Sequence, residues 1–412
     1  MNNVWLTWNQ LNSILLRKKK VYIFGCSRNL GQSLLRKIDK IGLQEIIFLD
    51  NAKELQSKKF LDKKVFSPSI LKHFNIKKDY IIISTEPETI IKEIKDYKLI
   101  EGKNFCCTPD IRDWGKITYL KENSSDIIFS SSDYFDLSKF RSSKYGGGLF
   151  LGNVGDSSYE KVLNGQYRQF VKVKDYYYVI EFVKGELHVL DKNFKILDII
   201  RIFNKNNSEE RKLCGITYSR EHEKFFLCNP LTDNIYILNN KLKIIGKIKF
   251  RKNNIKNLSC HLNDITCKGD FLYVSYFSKL GKWRDGILDG GVSRINIKKK
   301  SQISEIIKNL KKPHSPEIID NQVFVLDSLN GKLINEKKIL ATFSGFVRGL
   351  ASDGKYFYIG QSEDMYTSKR FKISKIPIML NAGIYQYDSI NKITKFLSIP
   401  DLANIHDVKI LS

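Results

Sequence analysis

HLNDITCKGDFLYVS, residues His261–Ser275, aligns without gaps on HSPEIIDNQVFVLDS, His314–Ser328, and on RGLASDGKYFYIGQS, Arg348–Ser362. Each copy runs from a polar head through a turn into an apolar strand that ends on serine. A strand pair that recurs every 45 residues or so (roughly) is the mark of a propeller blade, which cannot bury its faces alone and is therefore repeated. Gly215–Asn229 is a looser copy, ending in Phe225-Phe226-Leu227-Cys228-Asn229, and Tyr177–Phe182 begins another strand pair. Turn signals punctuate the strands at Asn164-Gly165, Lys268-Gly269-Asp270, Asn330-Gly331 and Asp353-Gly354. Ile405-His406-Asp407-Val408 reads as one more head whose remaining strands must come from elsewhere. Asp126–Ser130 and Gly148–Gly152 can supply them, so that strands from both ends close the ring and remove its free edges. Residues 121–412 are therefore expected to form an all-β propeller, with six blades favoured over five or seven.

Upstream the pattern changes. Lys20-Val21-Tyr22-Ile23-Phe24-Gly25 reads as a buried parallel strand, Cys26–Gly31 as a turn, and Gln32–Ile41 as an amphipathic helix with Leu34, Leu35 and Ile38 on one side. Glu45–Leu49 and Tyr80–Ser84 read as further strands and Glu88–Tyr97 as a helix. This alternation predicts an α/β, Rossmann-like module over residues 1–120. Backbone N–H groups at the first helix suit a phosphate. Asp50 follows Gly25 by 25 residues and ends the second strand, where an acid can accept a ribose hydroxyl. Gly25, Ser27, Gly31 and Asp50 are thus the residues for a nucleotide or sugar nucleotide.

In a propeller the innermost strand of every blade faces the channel, so the repeat heads converge although far apart in sequence. His261, His314 and Arg348 are expected at equivalent positions, with His406 as a fourth head. The chain has six histidines, so three on one channel are notable. Neutral imidazoles suit a divalent ion, zinc first, with an open position for water or substrate. Arg348 suits a carboxylate or phosphate. Asp264 and Glu317 each follow a head histidine by three residues, and Asp407 follows His406 directly. They are candidates for orienting groups or a general base. His73, His188 and His222 are read as structural or solvated, His188 on an edge strand. Gly281-Lys282-Trp283-Arg284-Asp285-Gly286 interrupts the third repeat. Trp283 suits stacking on a sugar or base, and Arg284 and Asp285 suit hydrogen bonding, on a loop over the channel. Tyr366–Lys375 is a similar insertion in the fifth repeat.

The net charge of +25 points to anionic partners. Lysines scattered among Asn and Ile, with few Arg forks, argue against base-reading nucleic-acid recognition. No apolar run reaches the roughly 18 residues that span a bilayer, and the N-terminus lacks the order of a signal peptide. Seven cysteines without a C-x-x-C fit reduced thiols and a cytoplasmic setting.

Ile23-Phe24-Gly25, Phe48-Leu49-Asp50-Asn51, Val65-Phe66-Ser67-Pro68 and Ile81-Ile82-Ile83-Ser84-Thr85 resemble the N-terminal sugar-nucleotide-binding module of bacterial sugar acyltransferases, over roughly 90 residues. The resemblance implies ligand contacts at Gly25, Ser27, Gly31 and Asp50. The downstream chain lacks the hexapeptides of an acyltransferase β-helix. Trp283–Arg294, Pro313–Pro316, Val325–Ser328 and Arg348–Leu350 resemble an uncharacterised bacterial propeller family with W-R-D-G-x-L-D-G-G-V-S-R, P-H-S-P and V-L-D-S motifs. That resemblance implies the fold and no activity. The His-plus-Arg channel is similar in kind to the zinc-holding lyase propeller of peptide-amidating enzymes.

Two readings stay open at this level. One is an enzyme of surface-glycan or sugar-nucleotide metabolism that acts on an anionic or sugar-linked small molecule. The other is a non-catalytic propeller that docks a ligand or a protein partner.

Overall fold

A computed structural model describes residues 6–26, 29–42, 45–85, 87–111, 120–133, 146–203, 212–251, 258–300, 302–336, 338–363, 377–400 and 402–411. Ser27 and the Tyr366–Lys375 insertion lie outside these residues. The chain divides into two compact units, Met1–Tyr119 and Leu120–Ser412.

The first unit is a six-stranded sheet. Its strands are β1 (Lys20–Phe24), β2 (Glu45–Leu49), β3 (Lys59–Phe60), β4 (Lys63–Phe66), β5 (Asp79–Ile83) and β6 (Phe105–Cys107), in the order β3-β4-β2-β1-β5-β6. All neighbours pair in parallel except β3 and β4. Side chains alternate across a strand, and β1 feeds two cores. Val21 and Ile23 pack with Leu34, Phe48 and Ile82, whereas Tyr22 and Phe24 pack with Leu49, Ile83 and Ile94. Burial on both faces explains the unbroken apolar runs. The expected helices are α2 (Leu30–Ile38), continued by a 3-10 turn at Asp39–Ile41, and α3 (Pro87–Asp96). A further helix, α1 (Trp8–Leu15), precedes β1. Thr7 and Gln10 cap it reciprocally.

The described residues of the second unit form six four-stranded antiparallel blades. The innermost strands of blades one to five are Tyr167–Val173, Gly215–Ser219, Leu262–Lys268, Pro313–Ile319 and Phe346–Ser352. Blade six begins on Asp407–Ile410 and continues with Asp126–Ser131, Gly148–Asn153 and Ser158–Asn164. Strands from both ends therefore close the ring. The closing seam is apolar, with Ile127, Phe129, Phe150, Tyr358, Ile384, Leu397, Ile405 and Val408 in one cluster.

A belt of hydrogen bonds ties the innermost strands together. The N–H groups of Ile216 and Ile265 donate to Gln169 Oε1 at 2.9 and 3.1 Å. Ser315 N–H donates to Asp264 at 2.7 Å, and Gly349 N–H donates to Ser315 Oγ at 2.9 Å. Phe170 N–H donates to Asp407 at 3.2 Å, which joins blade six to blade one. Gly349 has φ +74°, and a Cβ there would meet Val408 Cγ2 at 2.7 Å, so only glycine fits against the closing strand.

Candidate functional site

In four of the six innermost strands the pairing slips at a bulge, between Tyr167 and Phe170, Leu262 and Ile265, His314 and Glu317, and Arg348 and Leu350. Bulges re-aim side chains. His314 and Arg348 are the last paired residues before their bulges, but in blade three that position is Leu262 and His261 lies ahead of the strand. The expected equivalence of His261 with His314 and Arg348 is thus corrected: from bulge to turn the strand runs over Ile265–Lys268 in blade three and over Glu317–Ile319 in blade four, one residue fewer, which a gapless alignment cannot register. Asp264 and Glu317 are likewise not equivalent, because Asp264 lies within its bulge and Glu317 after it.

The heads nevertheless act on one another. Arg348 Nη1 lies 3.2 Å from His406 Nδ1 and 3.5 Å from its Nε2. His314 Nδ1 lies 2.9 Å from the Lys312 carbonyl and 2.8 Å from Ser328 Oγ. A carbonyl only accepts, so Nδ1 carries the hydrogen and Nε2 the lone pair. His261 stacks on Phe277 at 4.4 Å, and His314 meets the same ring edge-on at 5.2 Å. The expected loop reaches this end of the channel: Trp283 lies 4.5 Å from the His261 ring, with Arg284 5.0 Å over Trp283. Arg284 and Asp285 themselves are exposed.

The electrostatics of this mouth are cationic. Burial and the charges of Arg168, Lys312, Arg284 and Arg348 hold His261 well below its usual value. Burial and Arg348 do the same to His314, and burial, Arg168 and Arg348 to His406. All three imidazoles are therefore neutral at pH 7. Arg168, Lys312, Asn263 and Phe277 were not singled out in the sequence. Arg168 follows Tyr167 at the head of blade one, and Lys312 immediately precedes Pro313-His314, so both stand beside recognisable heads.

Four buried polar atoms around His261 have no hydrogen-bond partner: Arg168 Nε, Asn263 Nδ2, Trp283 Nε1 and His261 Nδ1. The first three only donate, and the fourth can. Each such orphan costs about 1–3 kcal/mol when buried. Native proteins keep few of them.

The expected acids stand elsewhere. Glu317 and Asp407 flank Lys409, whereas Asp264 bonds the Ser315 N–H and feels the charges of Arg348 and Arg168. Lys409 pairs with Glu317, and its Nζ lies 3.7 Å from Asp407. Burial opposes the Lys409 charge, but Asp407, Glu317 and Asp264 outweigh it and hold the ammonium above its usual value. Burial raises Asp264, and it raises Asp407 to about 7 against the pull of Lys409. The sequence expects a metal on His261, His314 and His406. Among the described residues no three of His, Cys, Asp and Glu are grouped to hold an ion. His406 has Arg348 against its ring, and a guanidinium repels a cation. His188, expected on an edge strand, lies in the third strand of blade one, paired on both sides. Its ring bridges Tyr167 Oη at 3.1 Å and Glu186 at 3.3 Å.

In the first unit, Gly25 has φ +110° and abuts Thr85, where a Cβ would come within 2.6 Å of Cγ2. Gly31 opens α2 against the Gly25 carbonyl, 3.1 Å from where a Cβ would stand. Asp50 accepts from Cys26 N–H and from Ala52 N–H, both at 2.9 Å. It thus clasps the glycine turn. Burial, and then Asp50, push the Cys26 thiol up to about 12. Among the described residues no helix is long and apolar enough to cross a membrane.

Fold and site together define a six-bladed propeller with a donor-lined, cationic channel mouth. Residues 245–412 match a family model described as "Domain of unknown function (DUF4915)". No curated protein matches the chain. Among solved structures it is similar to a nidogen/laminin complex, at 10% identity over 70% of this chain and 98% of that one, with a TM-score of 0.49. It is also similar to a protein of unknown function from Bacteroides caccae, at 12% identity over 69% of this chain and 98% of that one, with a TM-score of 0.46. A streptogramin B lyase is similar at 12% identity over 57% of this chain and 69% of that one, with a TM-score of 0.39. None of these likenesses bears on what this chain does.

Proposed function

We propose that this chain binds an oxyanion-bearing, sugar-linked small molecule at the channel mouth of its propeller, within the cytoplasmic metabolism of surface glycans or sugar nucleotides. The observation that carries the reading is the set of orphaned donors, Arg168 Nε, Asn263 Nδ2 and Trp283 Nε1, beside His261. Buried donors without partners, in a field set by Arg168, Lys312 and Arg348, call for a ligand that brings oxygen acceptors and negative charge. The same field disfavours a divalent cation, so an anion takes the place of the expected zinc. The first unit is read, by itself, as a Rossmann-like module for a nucleotide or sugar nucleotide. Its parallel strand order and the Gly25 turn support that reading.

A second reading, an enzyme, draws on His314. A neutral imidazole whose Nδ1 hydrogen is held by a carbonyl presents the lone pair of Nε2, the atom through which a general base takes a proton.

The test is calorimetric titration of sulfate and of glycerol 3-phosphate into wild type and Arg168→Ala. Binding that weakens about 10–100-fold in the variant, as for loss of a charged hydrogen bond, supports the oxyanion site. Equal binding by both proteins, or one transition metal per chain by elemental analysis that leaves on His261→Ala/His314→Ala, overturns it.

A further inference from the structure

We propose that the channel holds a second ligand site at its other end, which takes a neutral molecule with an apolar body and a carboxamide head. The inference goes beyond the oxyanion reading and does not depend on it.

The innermost strands bring their heads to one end of the channel and their tails to the other. Between the tails of blades four, five, six and one, which follow one another around the ring, lies a cavity of about 340 Å³. Small-molecule sites begin at roughly 300 Å³. Glu317 follows His314 by three residues, and Lys409 follows His406 by three. At roughly 3.3 Å per residue the floor of the cavity lies about 10 Å from the heads. The walls are apolar, with Phe170 and Tyr177 from blade one, Ile318 from blade four, Leu350 from blade five and Ile410 from blade six. Glu317 and Lys409, from blades four and six, line it as an ion pair. An apolar lining with a few convergent polar groups is what holds and orients a small ligand.

The ion pair selects the head group. Lys409 Nζ donates to Glu317 Oε1, and its contact with Asp407 is 3.7 Å, beyond hydrogen-bond length. Among the described residues nothing donates to Glu317 Oε2. The Lys409 and Glu317 side chains keep 30% and 18% exposure, so the second carboxylate oxygen and the remaining ammonium N–H groups are within reach of a ligand. Donor and acceptor stand side by side. A carboxamide answers both, with its carbonyl toward the ammonium and its N–H toward the carboxylate, and both bonds gain from the charge on the protein partner. The signs argue against an ionic head. Lys172 and Lys409 line the cavity, and Glu317 and Asp407 stand beside Lys409. An added anion or cation meets a like charge, and apolar walls strengthen that repulsion. This end of the channel thus differs from the cationic mouth.

Three probes that share one ring test the head group: benzamide, benzoate and benzylammonium, each titrated into the full chain at pH 7 by ligand-observed NMR. Benzamide is expected to bind about tenfold tighter than either ion, the worth of one hydrogen bond to a charged group. Ser352→Trp places an indole in the cavity from blade five and is expected to abolish that binding in a folded protein. Glu317→Gln keeps a partner for Lys409 but removes the balancing charge, and is expected to reverse the order in favour of benzoate. Excess sulfate is expected to leave benzamide bound. Benzamide that does not bind, or that binds equally to Ser352→Trp, overturns the site. Displacement by sulfate overturns it as well, because it places the ligand at the mouth. Benzamide that binds no better than both ions, or an unchanged order in Glu317→Gln, overturns the carboxamide assignment. If Ser352→Trp does not fold, the order of the three probes in wild type and its reversal in Glu317→Gln decide.

Discussion

The mouth and the interior of the propeller channel are built from the same kinds of residue and are used oppositely. In the interior, Asp264, Ser315, Gln169 and Asp407 accept backbone N–H groups of neighbouring blades, and Lys409 neutralises Glu317 and Asp407. At the mouth, Arg168 Nε, Asn263 Nδ2, Trp283 Nε1 and His261 Nδ1 have no partner. Where polar groups satisfy one another across blades they close the ring. Where they are buried and unsatisfied they wait for something that is not part of the chain. Buried polarity alone therefore does not mark a site; unsatisfied buried polarity beside clustered charge does.

The sharpest way to break that contrast is to remove the interior counter-ion. Lys409→Met leaves Glu317, Asp407 and Asp264 without their ammonium. Losing one partner of a buried pair costs about 3 kcal/mol, the lower end being apt because the Lys409 side chain keeps 30% exposure. For a domain of this size that is a fall in Tm on the order of 8 °C. Arg168→Ala at the mouth is expected to leave Tm within about 2 °C, as for other changes that break no satisfied network. Equal losses from the two variants would end the distinction.

A smaller effect separates the regions by pH. The folded values of His261, His314 and His406 are lowered, so the unfolded chain binds protons that the folded chain refuses. Their contribution is full above about pH 6.5 and is lost as pH falls below it. Asp407 is raised to about 7, so the folded chain keeps a proton that the unfolded chain releases. Its contribution is lost as pH rises from about 4 to 7. Melting curves of Asp407→Asn against wild type are thus expected to shift in favour of the variant as pH rises through that window. A pH-independent difference would mean that Asp407 is ionised throughout.

The smallest expected effect sharpens the mouth itself. Trp283→Ala should leave sulfate affinity within about twofold but weaken a sugar phosphate by about fivefold, the worth of one aromatic contact of about 1 kcal/mol. A proportional loss for both ligands would mean that Trp283 only shapes the loop.

Much of the propeller was legible in the chain. The copies at His261, His314 and Arg348, and the unfinished head at Ile405–Val408, specify the blades and their closure, because a blade's alternation and turn residues are local. The site was legible in part. His314, Arg348, His406 and Trp283 were found because they stand at repeat heads or in an insertion. Asp264, Glu317 and Asp407 were found too, but for work at the histidines. Glu317 and Asp407 face Lys409 instead, and Asp264 bonds Ser315 and feels Arg348 and Arg168; no local pattern links Lys409 to Glu317, 92 positions away. His261 was assigned a place it does not hold, because blade three carries one more residue between bulge and turn than blade four. α1 was missed, since its capping by Thr7 and Gln10 is a three-residue signal beside a short apolar run.

By itself the sequence determined that repeated strand pairs must assemble into a closed ring and that an α/β pattern precedes them, for periodicity and turn chemistry act over a few residues. Only the tertiary structure decided which polar heads are satisfied and which are open, because the ring brings Arg168, His261, Lys312 and Arg348 to one mouth across the whole length of the propeller. Whether a buried donor has a partner is a property of that assembly and of no single segment.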